Sequence, residues 1–194
     1  MTYPLVDMTC VVGSIDGQSV ILGADSAAIG AGSGSEIYTP PEPKVFVCGR
    51  YVIGVCGSYR VGQVLRYQAE LPEPATSADL RSFLIRELIP AIGDLLEAKG
   101  VVGSSRACLG HKVSMLLGYD GQLWHVSPDL TVLPEVEFGA IGSGRLRAYA
   151  ALHALKAARV QPAQRRLELA LEAAATYTAT VRPPWHFVRS GDVP

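Results

Sequence analysis

The chain lacks what several simple functional classes require. No apolar run approaches the roughly 18 residues of a membrane-spanning helix. The opening MTYPLVDMTC has neither the basic n-region nor the apolar h-region of a secretory signal. There is no excess of charge of one sign: 17 basic residues stand against 18 acidic ones, a formal net charge of -1. That removes the broad basic face needed for sequence-independent nucleic-acid binding. The four cysteines (Cys10, Cys48, Cys56 and Cys108) show no C-x-x-C spacing, and His111, His125, His153 and His186 form no i, i+4 pair. Zinc-ligand spacing is absent, so reduced and mostly buried thiols in a cytoplasmic protein are expected, with no metal and no cofactor.

What is present is enough for one generous domain. At 194 residues the chain can bury roughly 70% of its unfolded surface. Hydrophobic residues make up 48% and charged residues 18%, which excludes a disordered polyelectrolyte.

Apolar runs over Thr9–Ile15 and Ser19–Asp25 flank Asp16-Gly17, a hairpin signal. Gly30–Pro43 is rich in Gly, Ser and Pro and reads as a loop. A second hairpin follows, Lys44–Cys48 and Tyr51–Cys56, around Gly49-Arg50. The period then lengthens. Val61, Val64 and Leu65 predict a helix from about Ser58 to Leu71. Thr76 and Asp79 form a T-x-x-D capping box for a helix running to about Lys99, bent at Pro90 and stopped by Gly100. Strands return at Lys112–Tyr119 and Gln122–Ser127 and near Glu137–Ile141. Helices are predicted over Leu146–Arg159 and Ala163 to about Thr178, and a last strand over Trp185–Arg189. Hairpins rather than β-α alternation carry the strands, so the sheets should be antiparallel. The order fits an α+β, four-layer αββα sandwich.

Several motifs carry little chemistry. Gly30–Ser35 fails the spacing of a phosphate loop and runs into Pro40 and Pro41 instead of a helix. Gly142-Ser143-Gly144 lacks the second flanking residue of a G-x-S-x-G elbow and alone is a tight turn. The basic residues around the last two helices (Arg145, Arg147, Lys156, Arg159, Arg165 and Arg166) read as a solvated face or a subunit contact. More is expected of Thr9, Asp25 and Lys44. Each sits at the end of an apolar strand, where side chains can converge at one rim. A hydroxyl nucleophile needs a base and a cation to ease its deprotonation, and a Lys–Asp pair supplies field and orientation.

The segments Thr9-Cys-Val-Val-Gly13, Gly23-Ala-Asp-Ser26, Pro43-Lys-Val-Phe46, Val55-Cys-Gly57 and Ala140-Ile-Gly-Ser-Gly144 resemble, in order and spacing, the proteasome β-subunit and HslV peptidase family. The resemblance spans roughly Thr9 to Ala175 and implies an N-terminal-nucleophile (Ntn) hydrolase. It matches Thr9 to the nucleophile, Asp25 to its acidic partner, and Lys44 to the lysine that lowers the hydroxyl pKa. It matches Gly57 to the oxyanion-hole glycine and Ser143 to the serine that holds the terminal amine and its water. It also implies a peptide or unfolded-protein substrate and a homo-oligomeric ring of about six or seven subunits. An ATPase unfoldase partner is compatible with it, though no residue identifies one. Residues 1–8 would then be a leader or non-native extension and 9–194 a single domain.

The resemblance departs at Ala175–Val181, where proteasome β-subunits carry a further aspartate and this chain has no carboxylate. Two rival readings follow from the same set of residues: a catalytically silent shell protein, and an Ntn amidase acting on a small amide.

Overall fold

The computed structural model describes residues 9–29, 37–75, 79–101 and 113–192. β1 (Cys10–Asp16) and β2 (Ser19–Ala24) form the first hairpin. They are joined at Gly17-Gln18, one residue later than the sequence indicates, because Asp16 still pairs with Ser19. Two short strands follow, β3 (Ala28–Ile29) and β4 (Ile37–Tyr38), paired with each other. The expected loop over Gly30–Pro43 is corrected to that extent; its Gly-rich part lies outside the described residues. β5 (Val45–Cys48) and β6 (Tyr51–Cys56) make the second hairpin.

α1 spans Tyr59–Gln68, and the Ser58 hydroxyl accepts the Val61 N–H at 3.4 Å as its cap. It ends short of Leu71 because Pro72 forces an extended residue before it. The next helical rod is α2 (Leu80–Phe83), a π-turn over Leu84–Leu88, and α3 (Ile89–Ala98). Its cap is Asp79 itself, whose carboxylate accepts the Ser82 N–H at 3.1 Å; Thr76 lies outside the described residues. Pro90 stands at the start of α3, directly after the π-turn. A proline lacks the N–H needed to close an ordinary turn, and widening the preceding turn relieves its ring.

β7 (Ser114–Tyr119), β8 (Gln122–Val126), β9 (Val132–Glu135) and β10 (Phe138–Gly142) then lead to α4 (Arg145–Ala157), α5 (Ala163–Tyr177) and β11 (His186–Arg189). β9 has no counterpart in the sequence reading. It contains Pro134, which argues against a strand, yet it lies at the edge of its sheet, where a missing donor is tolerated.

All strand pairs are antiparallel. One sheet has the order β10-β1-β2-β11 and the other β5-β6-β7-β8-β9. Period-2 alternation splits the apolar residues between layers. Cys10, Val12 and Ile21 meet Ala148, Leu152, Leu167 and Leu171 of α4 and α5. Val11, Val20 and Leu22 meet Val45, Val52, Leu116 and Leu123 between the sheets. Ile53, Val55, Met115 and Leu117 meet Val61, Leu65, Leu88 and Ile92 of the first helix pair. Three apolar layers separate four layers of structure, which is the expected αββα sandwich.

Candidate active site

Three strand ends from two sheets converge at one rim. Thr9 immediately precedes β1, Asp25 immediately follows β2, and Lys44 immediately precedes β5. Antiparallel pairing brings the first two together: the Asp25 N–H donates to the Cys10 carbonyl at 3.2 Å, and the Cys10 N–H donates to Asp25 Oδ1 at 2.9 Å. Lys44 arrives from the other sheet, and its Nζ donates to the same Asp25 Oδ1 at 2.7 Å. The side chains are 5% and 0% exposed, so this ion pair joins the sheets inside the protein.

A buried carboxylate is tolerated only when its lone pairs are used. Here Oδ2 also accepts the N–H of Ala27 at 3.0 Å and of Arg182 at 3.4 Å. Burial pushes the Lys44 ammonium below its ordinary value of 10.5, and the charge and hydrogen bond of Asp25 oppose that fall without cancelling it. Burial, reinforced by Asp25 and opposed by Lys44, pushes the Cys10 thiol up to about 12. Cys10 therefore stays protonated and is no nucleophile at neutral pH.

Thr9 is 5% exposed, and its carbonyl is held from the opposite side of the strand. It accepts the Gly144 N–H and the Ser143 hydroxyl, each at 3.4 Å. Ser143 also lies 3.2 Å from Thr180 Oγ1. A Ser143 proton directed at Thr9 leaves Thr180 as the donor in that second bond. The close approach of these segments depends on Gly142, whose φ is +92°. A Cβ there would lie 2.1 Å from the Thr9 carbonyl oxygen and 3.1 Å from Cys56 Sγ. Only glycine fits.

No family model and no curated protein matches the chain. Solved structures do match it. Thiobacillus denitrificans BPH in complex with epoxomicin superposes with a TM-score of 0.75 at 18% identity, over 93% of this chain and 97% of that one. Eukaryotic HslV from Trypanosoma brucei gives 0.66 at 17% identity, over 93% and 98%. The Anbu chain of a helical assembly from Pseudomonas aeruginosa gives 0.62 at 12% identity, over 93% and 80%. The chain has the proteasome-like Ntn-hydrolase fold.

Within this proteasome-like sandwich, four of the residues singled out in the sequence (Thr9, Asp25, Lys44 and Ser143) fall in one bonded network. The network reaches Thr9 through its own carbonyl and through the amide of its neighbour Cys10. Gly57 borders it by chain continuity: it follows Cys56, is exposed, and turns the chain from β6 into α1 with φ of +110°. Such a backbone is open to glycine and strained for other residues. Thr180 and Arg182 were missed. Arg182 reaches Asp25 through its main chain from 157 residues away, so its side-chain identity carries no signal. Thr180 lies in the segment noted for lacking a carboxylate and places a hydroxyl against Ser143 instead. Among the described residues no group of three or more His, Cys, Asp or Glu is arranged to hold a metal, and no helix is long and apolar enough to cross a membrane.

Proposed function

We propose that this chain is a cytoplasmic Ntn hydrolase that cleaves peptide bonds, with Thr9 as its nucleophile once Thr9 is the first residue. The observation that carries the reading is the buried Lys44–Asp25 pair built onto the main chain beside Thr9. Nothing in packing alone calls for two charges at that depth, since an apolar pair of similar volume commonly serves stability as well or better. The cation provides a field in which a hydroxyl can lose its proton.

In the proposed reaction the free Thr9 α-amine takes the hydroxyl proton, directly or through water. A free α-amine has a pKa of about 7.7–8.0, close to working pH. Thr9 Oγ1 bonds to the peptide carbonyl carbon, and the carbonyl electrons move to oxygen, where the Gly57 N–H stabilises them. Collapse breaks the C–N bond, and the proton passes to the leaving amine. Water then hydrolyses the ester and restores Thr9. Asp25 holds Lys44 in place, and Ser143, backed by Thr180, holds the Thr9 main chain.

While residue 8 is attached, the Thr9 nitrogen is an amide and no base. The active form therefore begins at Thr9, by cleavage of the Met8–Thr9 bond or by initiation at Met8 and loss of that methionine. Self-association is part of the proposal. The matched Pseudomonas Anbu chain comes from a helical assembly, and this chain exposes large apolar side chains at Val136, Leu146 and Tyr177. Light scattering should show a ring or helical oligomer; a monomer at micromolar concentration would remove the compartment.

The test is hydrolysis of a short peptide amide by a chain beginning at Thr9, with Thr9→Ala as comparison. Turnover lost in Thr9→Ala supports the reading. Assembly without turnover in either form points to a shell protein, and turnover of small amides but not peptides points to an amidase.

A further inference from the structure

The segment that grips Thr9 is itself held by a side chain that the proposed reaction leaves unused. Ser143 and Gly144 both bond the Thr9 carbonyl, and both follow Gly142, the last residue of β10. Gly142 is buried, and β10 is an outer strand of its sheet. Its partner across the ladder is Cys10, which turns its N–H and its carbonyl toward Asp25 on the β2 side. Residues opposed in such a pair direct their main-chain polar groups away from one another, so the Gly142 carbonyl points off the open edge of the sheet. A buried carbonyl needs a donor. Arg145 supplies it: Nη1 donates to the Gly142 oxygen at 3.2 Å from the first residue of α4.

Packing and helix electrostatics do not account for a cation there. Arg145 opens α4, where the helix dipole is positive and acidic residues are favoured, yet the first turn holds no acidic residue. It also acts on His125. Alternation along β8 sends Leu123 into the layer between the sheets and Trp124 toward the helices, so His125 lies on the inner face with Leu123. There it is half-buried, opposite Leu116 of β7 and Leu133 of β9 in the ladder. Burial first, and then the charge of Arg145, hold the imidazole below its ordinary value of 6.5, so it is uncharged near neutral pH. The other charged group that a neighbouring element turns to this face, among the described residues, is Glu135 of β9, which accepts from the Tyr149 hydroxyl of α4 at 2.7 Å. Among the same residues, the inner faces of β1, β2, β7 and β10 present no titratable side chain to His125.

We propose that Arg145 is a positioning residue of the Thr9 reaction, pinning the Gly142 carbonyl and through it the Ser143–Gly144 grip on Thr9, and that a proton on His125 releases the pin. Two cations then face each other beside a half-buried layer, and Arg145, an exposed residue, is free to swing to solvent. Without its donor the segment no longer fixes Thr9 where its hydroxyl attacks. The inference rests on the reaction proposed above and deepens it by naming what holds its geometry and what sets its acid limit.

The experiment uses a chain beginning at Thr9, a short peptide amide, and the variants Arg145→Met, Arg145→Lys, His125→Gln and Glu135→Gln. Arg145→Met should lower kcat about tenfold with KM within about twofold of the parent, the scale of one charged hydrogen bond devoted to orientation. Arg145→Lys, which restores a cationic donor, should return kcat to within about threefold of the parent. The pH profile supplies a readout that a loss of stability would not move. Titration of the Thr9 amine gives log(kcat/KM) an acid limb of slope one, and the His125 proton steepens it to slope two below pH 6.5 in the parent. His125→Gln and Arg145→Met should stay at slope one, and Glu135→Gln should steepen as the parent does. A parent-like kcat in Arg145→Met, no rescue by lysine, or an acid limb that His125→Gln does not alter overturns the assignment and leaves the Thr9 reaction standing. Absence of turnover in the parent, with Thr9→Ala no different, overturns both.

Discussion

Replacing Lys44 by methionine keeps the length and most of the volume of the side chain and deletes its charge together with its hydrogen bond to Asp25. Asp25 would then be a carboxylate with no exposure and no cation. Removing one partner of a buried pair costs about 3–5 kcal/mol, because the other charge stays behind without compensation. Asp25 keeps the N–H groups of Cys10, Ala27 and Arg182, so the lower end, about 3 kcal/mol, is expected. For a domain of this size each kcal/mol moves Tm by about 2–4 °C, so Lys44→Met should unfold about 6–12 °C below the parent. Thermal unfolding followed by circular dichroism measures this, with urea titration supplying the free energy. Lys44→Met/Asp25→Asn should lose clearly less than the two single variants added together, since it leaves no bare charge. A loss below about 1 kcal/mol, or additivity within about 0.5 kcal/mol, would refute the claim that the two charges form a dry, coupled pair.

Gly142→Ala combines a positive φ with a Cβ 2.1 Å from the Thr9 carbonyl oxygen, so it should lose about 2 kcal/mol or more and all turnover; a parent-like Tm and rate would contradict this packing. Thr180→Val removes the donor to Ser143 and should cost about 1 kcal/mol in the activation step, roughly a fivefold fall in kcat with KM unchanged, restored by Thr180→Ser. A fall in KM alone, or no rescue by serine, would make Thr180 merely structural.

The layers were legible because period-2 and period-3.6 patterns leave their mark on residue type: Val11 and Val12 point to different layers, and Val61, Val64 and Leu65 line one helix face. β9 was not legible, since Pro134 carries a local signal against a strand that its edge position overrides. The π-turn was foreshadowed only as a bend at Pro90. At the site, Thr9, Asp25 and Lys44 could be found because each is a polar residue at the end of an apolar strand. Arg182 could not, because it serves through its amide nitrogen, which every residue other than proline possesses.

The central claim is that Thr9, as a free N-terminus, is the reacting group. Epoxomicin, present in the complex of the matched Thiobacillus protein, provides the most direct probe. The chain beginning at Thr9 is incubated with it, and intact mass and peptide mapping locate the adduct. One inhibitor per chain on the fragment that begins with Thr9, and none on Thr9→Ala or on a chain that retains residues 1–8, is the predicted result. An adduct on another residue, or peptide hydrolysis by a chain verified to retain residues 1–8, would contradict the account.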